Sequence, residues 1–184
     1  GRSISQGRWR FSGKYFDRVL TKKQPSTLGD LEDVIYITTW LSTSIPQLSS
    51  LKQPFCDLLQ FLKNSDDLKD RRGKTLSRKK RASMPLESHW TKDMEKQWDL
   101  LLERVQAASQ RNLQNYDVQR NLVIITDASL THWSSVIGLE ESGCDSSALS
   151  QLRFSPMAFS SGTFKASGLN WGMPCKELFP ILRT

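Results

Sequence analysis

The residues best suited to chemistry are two acids, each placed at the end or start of a patterned segment. Asp127 closes the run Asn121-Leu-Val-Ile-Ile-Thr-Asp-Ala-Ser129, in which four apolar residues, Leu122 to Ile125, lead almost directly to a carboxylate. A short β-branched run between polar residues predicts a strand buried on both faces. A carboxylate at the tip of such a strand costs free energy unless it is partnered, and a cation is the obvious partner. Asp, Ala and Ser are also good turn residues, so on this stretch alone a turn cap accounts for Asp127. The second acid, Glu177, stands near the start of the helix-like stretch Asn170-Trp-Gly-Met-Pro-Cys-Lys-Glu-Leu-Phe-Pro-Ile-Leu182.

A third feature is charge. The chain carries +7 formal net charge, and Lys69, Arg71, Arg72, Lys74, Arg78, Lys79, Lys80 and Arg81 crowd thirteen positions against one acid, Asp70. A basic balance puts polyanions first among partners. Polar, turn-forming flanks make residues 65–89 read as an exposed linker. Phosphate contact, a nuclear import signal and a solvated tether all remain open for it. Only two histidines, His89 and His132, are present, which argues against histidine metal sites and a Ser-His-Asp triad. Cys56, Cys144 and Cys175 are odd in number and far apart, and suggest neither a disulfide framework nor a zinc site. No apolar run approaches a membrane span, and a reducing, intracellular setting is expected, with cytoplasm and nucleus undecided.

The elements that would position these groups include both helices and strands. Arg2 to Ser5 and Arg8 to Phe11 are compatible with a small hairpin. Thr27 and Asp30 have the spacing of a capping box ahead of a helix over Leu28 to Leu41, with acids in its first turns. Ile45-Pro46 breaks that pattern, and a second helix is predicted from about Pro54 through Leu62. Thr91 precedes Met94, Trp98, Leu101, Leu102 and Val105, the rhythm of an amphipathic helix whose Trp98 belongs to a core. Beyond Asp127, Thr131 to Leu139 alternates so that Trp133, Ser135, Ile137 and Leu139 share a face, and Gln151 to Ser160 predicts a further strand.

Taken in order, Thr126-Asp-Ala-Ser129, Trp133, Ala158-Phe-Ser160, Asn170-Trp171 and Lys176-Glu-Leu178 resemble the RNase H-like domain of gypsy-type LTR retrotransposon Pol polyproteins. Pro25-Ser-Thr-Leu-Gly-Asp-Leu31, Trp40-Leu-Ser-Thr-Ser-Ile-Pro46, Gln53-Pro54 and Leu58-Leu59 resemble the end of the reverse transcriptase in the same family. The resemblance implies an α+β chain, with residues 1–64 as the end of the palm and a thumb-like helical segment, 65–89 as a basic linker, and 90–184 as a truncated RNase H-like domain with three antiparallel strands. It also implies magnesium-dependent hydrolysis of RNA in RNA–DNA hybrids, in which two ions clamp the attacking and leaving oxygens. Oxygen-ligated magnesium calls for carboxylates, and of the family's four, Asp127 matches the first and Glu177 the second. The other two have no counterpart before Thr184, so little or no activity is expected from this chain. The polymerase Tyr-x-Asp-Asp motif is absent, and no polymerase activity is expected.

Several departures are visible. His132 and Ser134 flank Trp133 where the family has glycines. Pro180 inside the last helix predicts a kink or a loss of about 3 kcal/mol. Without a fourth strand, Leu122 to Ile125 forms an exposed apolar edge that invites self-association. The implied partners are nucleic acid and the rest of the Pol polyprotein, with no membrane. Two other classes stay open: a non-catalytic nucleic-acid-binding protein using Lys69 to Arg81, and an interaction protein pairing through that strand edge.

Overall fold

A positive backbone angle at both Gln6 (φ 49°) and Gly7 (φ 69°) turns the chain back on itself, the twist that two-residue hairpins require. This closes β1 (Arg2–Ser5) on β2 (Arg8–Phe11), as the sequence suggests. A two-residue strand from much further along, β3 (Leu113–Gln114), completes the sheet by pairing with β2. The computed structural model describes residues 2–22, 24–65, 68, 76–141 and 152–183.

Helices follow. α1 (Gly13–Leu20), which the opening residues do not reveal by pattern, buries Phe16 and Val19. α2 (Leu28–Trp40) starts at the expected capping box. Thr27 Oγ1 accepts from the Asp30 amide at 3.2 Å, and the Asp30 carboxylate accepts from the Thr27 amide at 3.2 Å. Its buried stripe is Leu28, Leu31, Val34, Ile37 and Thr38. α3 spans Leu48–Asn64, so Pro54 lies inside the helix and not at its first position. The reason is apolar spacing: Leu48 and Leu51 belong to the same buried stripe as Phe55 and Leu62, and burying them outweighs the one backbone hydrogen bond that Pro54 forgoes.

The basic segment is not a free tether where it is described. α4 (Arg78–Ala82) sits against α2. The Leu28 amide donates to the Met84 carbonyl at 2.8 Å, the Leu86 amide donates to the Ser26 carbonyl at 3.0 Å, and Leu86 is fully buried. Gly29 is required by this packing, since a Cβ there would stand 2.9 Å from the Ala82 carbonyl oxygen.

α5 (Lys92–Ser109) is capped by Thr91, whose hydroxyl accepts from the Met94 amide at 3.2 Å. Its buried residues Met94, Trp98, Leu101, Val105 and Ala108 join those of α1, α2 and α3 in one core. Trp98 is therefore core, as its spacing indicates, and Phe55 stacks on Trp90 with centroids 5.6 Å apart.

The second sheet is antiparallel throughout, in the order β4 (Leu122–Ala128), β5 (His132–Glu140), β6 (Phe154–Thr163), and α6 (Met173–Arg183) packs on β4 and β5. The molecule is α+β. Register pairs Asp127 with Ser134 and Ser134 with Ser161; it pairs Ala128 with Trp133 and Trp133 with Gly162. Strand alternation puts the first row on one face and the second on the other. The Trp133 row meets α6, whose Phe179 lies 5.8 Å from Trp133 edge to face. The opposite face is turned toward the helices: β6 packs on α3 and on the 3-10 turn Ser42–Ser44.

One expectation needs adjustment. β4 is not buried on both faces; it is an edge strand with Leu122 50%, Ile124 40% and Ile125 43% exposed, because nothing among the described residues pairs with its outer side. Pro156 is accommodated where β5 and β6 slip register between Ile137 and Gly138, a bulge at which a missing amide costs little. α6 runs through Pro180 without interruption, with that ring buried.

Candidate nucleic-acid interface

Asp127 ends up one residue from the tip of β4, exposed to solvent. The turn beyond it is held tightly: the Ser129 amide donates to the His132 carbonyl at 2.8 Å, and Ser129 Oγ accepts from the His132 amide at 3.0 Å. This fixes where the strand stops and so where the carboxylate sits. The carboxylate itself takes no hydrogen bond or ion pair from a described residue. It opens onto a cleft of about 240 Å³. The sheet side of that cleft is Asp127, Ser129, His132, Trp133, Ser134 and Ser161. The opposite wall is Gln47 and Ser50, from the start of α3.

Glu177 is exposed on α6 and is not among the described walls of this cleft. Its helix approaches the sheet through the Trp133 row, whereas Asp127 belongs to the Ser134–Ser161 row. The two carboxylates share no hydrogen-bonding partner among the described residues.

What binds α6 to the end of β4 is the neighbour of Glu177. Lys176 is 2% exposed, and its Nζ donates to the carbonyls of Leu130 at 2.8 Å and Leu169 at 2.9 Å. The ammonium also lies 5.4 Å from the Phe164 ring centroid, within cation–π range. Trp171 and Phe164 pack on Phe179 at 5.3 and 5.6 Å. A buried lysine is costly unless its donors are satisfied; here they tie the β4–β5 turn to the first turn of α6. In the sequence Lys176 stands only as a neighbour of Glu177. Its spacing with Phe179 and Pro180 on one helical face was the available signal.

Of the basic cluster, Lys79 and Lys80 project into solvent from α4, while Arg81 is half-buried with its Nε enclosed and unbonded. Arg78 opens the same helix. Lys69, Arg71, Arg72 and Lys74 lie outside the described residues. Further cations stand on the N-terminal hairpin: Arg8 and Arg10 line a groove with Ser3, Ser5 and Asn112, and Arg2 stacks over Trp9 at 4.4 Å.

The structure of the foamy viral protease–reverse transcriptase in complex with RNA/DNA hybrid matches 100% of this chain with TM-score 0.65 and 18% identity. This chain shares its α+β fold with part of that viral protein. The same viral protein in complex with dsDNA matches 99% of the chain at TM-score 0.60 and 17% identity, and its dRH form with double-stranded DNA matches 99% at 0.62 and 16%. The match occupies 20–32% of those longer proteins, so this chain spans a fifth to a third of their length. No family model matches the chain, and no curated protein matches its sequence. No helix among the described residues is long and apolar enough to cross a membrane.

Proposed function

We propose that the chain is the thumb/connection and RNase H-like part of a gypsy-type retrotransposon Pol polyprotein, and that it acts as a nucleic-acid-binding module for RNA–DNA hybrids with little hydrolytic capacity of its own. The observation carrying this reading is the fold match, which covers the whole of this chain. The viral neighbours were captured with RNA/DNA hybrid or DNA, which supports the same class of ligand here. The surplus of cations supplies the sequence-independent attraction to phosphates that such binding needs.

Magnesium requires several hard oxygen ligands in near-octahedral order. Among the described residues no three His, Cys, Asp or Glu side chains gather into one group. These side chains therefore do not fit a two-ion centre. We assign Asp127 and Glu177 to the first two metal-ligand positions of that family, a pair that does not complete such a centre.

A fluorescence anisotropy titration against a labelled hybrid at increasing salt tests the reading. Affinity falls steeply with salt, with a log–log slope set by the phosphates neutralised, and the slope becomes shallower when Lys79, Lys80 and Arg81 are changed together to Gln. Absence of binding at about 50 mM salt, where phosphate contacts are strong, overturns it. The exposed apolar edge of β4 favours a second reading, an interaction protein that recruits a strand.

A further inference from the structure

Half of the basic run stands directly ahead of a hydroxyl: Arg78, Lys79, Lys80 and Arg81 lead through Ala82 to Ser83. Nucleic-acid binding uses the cations and leaves Ser83 without a role. Ser83 is the C-cap of α4, and its side chain is exposed. Lys79 and Lys80 face solvent from the same helix.

Serine kinases that select basic substrates carry carboxylates along the cleft that holds the residues before the acceptor, so cations there favour binding and acids oppose it. Arg81, Lys80, Lys79 and Arg78 lie two, three, four and five residues before Ser83, with no acid between them. Such a cleft takes its substrate as an extended segment, and α4 is built to yield one. It is five residues long, and its N-cap Ser77 makes no side-chain capping bond. A helix this short has little stability of its own, so it opens locally while the core stays closed. Opening gives up the contact of Ala82 with Gly29. The firm anchors lie beyond the acceptor, where the Met84 carbonyl accepts from the Leu28 amide and Leu86 is fully buried.

We propose that Ser83 is a phosphorylation site for a basophilic serine kinase, and that its phosphate withdraws the α4 cations from nucleic acid. The donor is ATP. The bond from its γ-phosphorus to the bridging oxygen breaks and leaves ADP, a bond to Ser83 Oγ forms, and the hydroxyl proton passes to the kinase's catalytic carboxylate. The product carries about −1.5 to −2 charge beside Lys79, Lys80 and Arg81, which then face an anion of their own chain. The helix end changes as well. Ser83 Oγ donates to the Lys79 carbonyl at 3.0 Å; the ester has no such proton and sets an anion against the carbonyl end of α4, which loosens its last turn. The inference rests on the hybrid-binding reading and deepens it by naming a regulation.

The test incubates the full chain with magnesium ATP and the catalytic subunit of cyclic-AMP-dependent protein kinase, locates phosphate by peptide mass spectrometry, and titrates a labelled RNA–DNA hybrid by anisotropy before and after. One phosphate is expected on Ser83, with none at that position in Ser83→Ala. The modified chain binds the hybrid about tenfold more weakly near 50 mM salt, and its log–log salt slope is shallower by about one to two, since each phosphate contact contributes about 0.9. Phosphatase treatment restores both, and kinase-treated Ser83→Ala binds like the untreated chain. Absence of phosphate at Ser83, or a phosphorylated chain with unchanged affinity and slope, overturns the inference and leaves hybrid binding standing. Failure of the unmodified chain to bind the hybrid overturns the hybrid-binding reading, and the switch with it.

Discussion

Ser161 and Ser49, 112 residues apart in sequence, meet through two hydrogen bonds of 3.1 Å that join the second sheet to the helical body. They make the position of Asp127 relative to α3 a property of the fold, since Ser161 stands in the same cross-strand row as Ser134 and Asp127. Ser161→Ala removes both of these hydrogen bonds to Ser49 at a half-buried site. A loss of about 1 kcal/mol is expected in urea unfolding, and it is accompanied by faster proteolysis at the start of α3.

Lys176 holds a second joint. Lys176→Met keeps the length and apolar stem but leaves the Leu130 and Leu169 carbonyls without their ammonium donor. Bonds to a charged donor are worth about 1.5–3 kcal/mol each, so destabilisation of several kcal/mol is expected, of order 3. Lys176→Arg restores the charge but not the compact reach, and recovers only part of it. Thermal melts of the three proteins order them as the parent chain, then Arg, then Met.

Trp133 and Gly162 are a cross-strand pair in which a Cβ on Gly162 would fall 2.6 Å from the indole. Gly162→Ala alone overpacks the α6 side of the sheet and costs about 1–3 kcal/mol. In a Trp133→Leu background the same change costs much less. Additivity of the two substitutions in a double-mutant cycle contradicts this.

Much of this architecture is legible in the sequence because each signal is local. The Thr27–Asp30 box, the Thr91 cap and the period-two run around Trp133 all depend on neighbours within a few residues, and all three appear in the structure. The illegible parts depend on distant partners. β3 is a strand only because β2 waits for it. Pro54 reads as a helix start until the buried Leu48 and Leu51 are seen to extend the stripe. The residues facing Asp127 belong to α3, and no spacing around Asp127 could name Gln47 or Ser50. The burial of Lys176 is decided by two carbonyls on other segments, which no local spacing reveals.

Acid should weaken the α2 start in a definite direction. Burial alone would raise the Asp30 carboxyl, but hydrogen bonds from Thr27 and Ser26 and the nearby Lys22 ammonium outweigh it and hold it below its ordinary value. A folded value below the unfolded one gives stability that is complete above the ordinary carboxylate range and is lost as pH falls through the folded value. The stability gap between the parent chain and Asp30→Asn is therefore constant near neutrality and closes below about pH 4. Thr27→Ala at pH 7 costs about 1 kcal/mol, the usual worth of an N-cap. Urea midpoints at pH 7 and at acid pH check both.

The β4 edge carries its own expectation. Ile124 is 40% exposed beside Leu122 and Ile125 on an unpaired strand. Ile124→Lys lowers self-association measured by sedimentation, since a charge on an edge strand blocks further pairing. Oligomers unchanged by the lysine place the contact elsewhere.

Hybrid binding without appreciable hydrolysis is tested most directly by incubating the purified chain with an end-labelled RNA–DNA hybrid and magnesium, and reading retention and cleavage from the same sample. The predicted result is retained, salt-sensitive binding with intact RNA, unchanged in cleavage by Asp127→Asn. Robust cleavage of the RNA strand, abolished by Asp127→Asn, would contradict it and show that Asp127 completes a working metal centre.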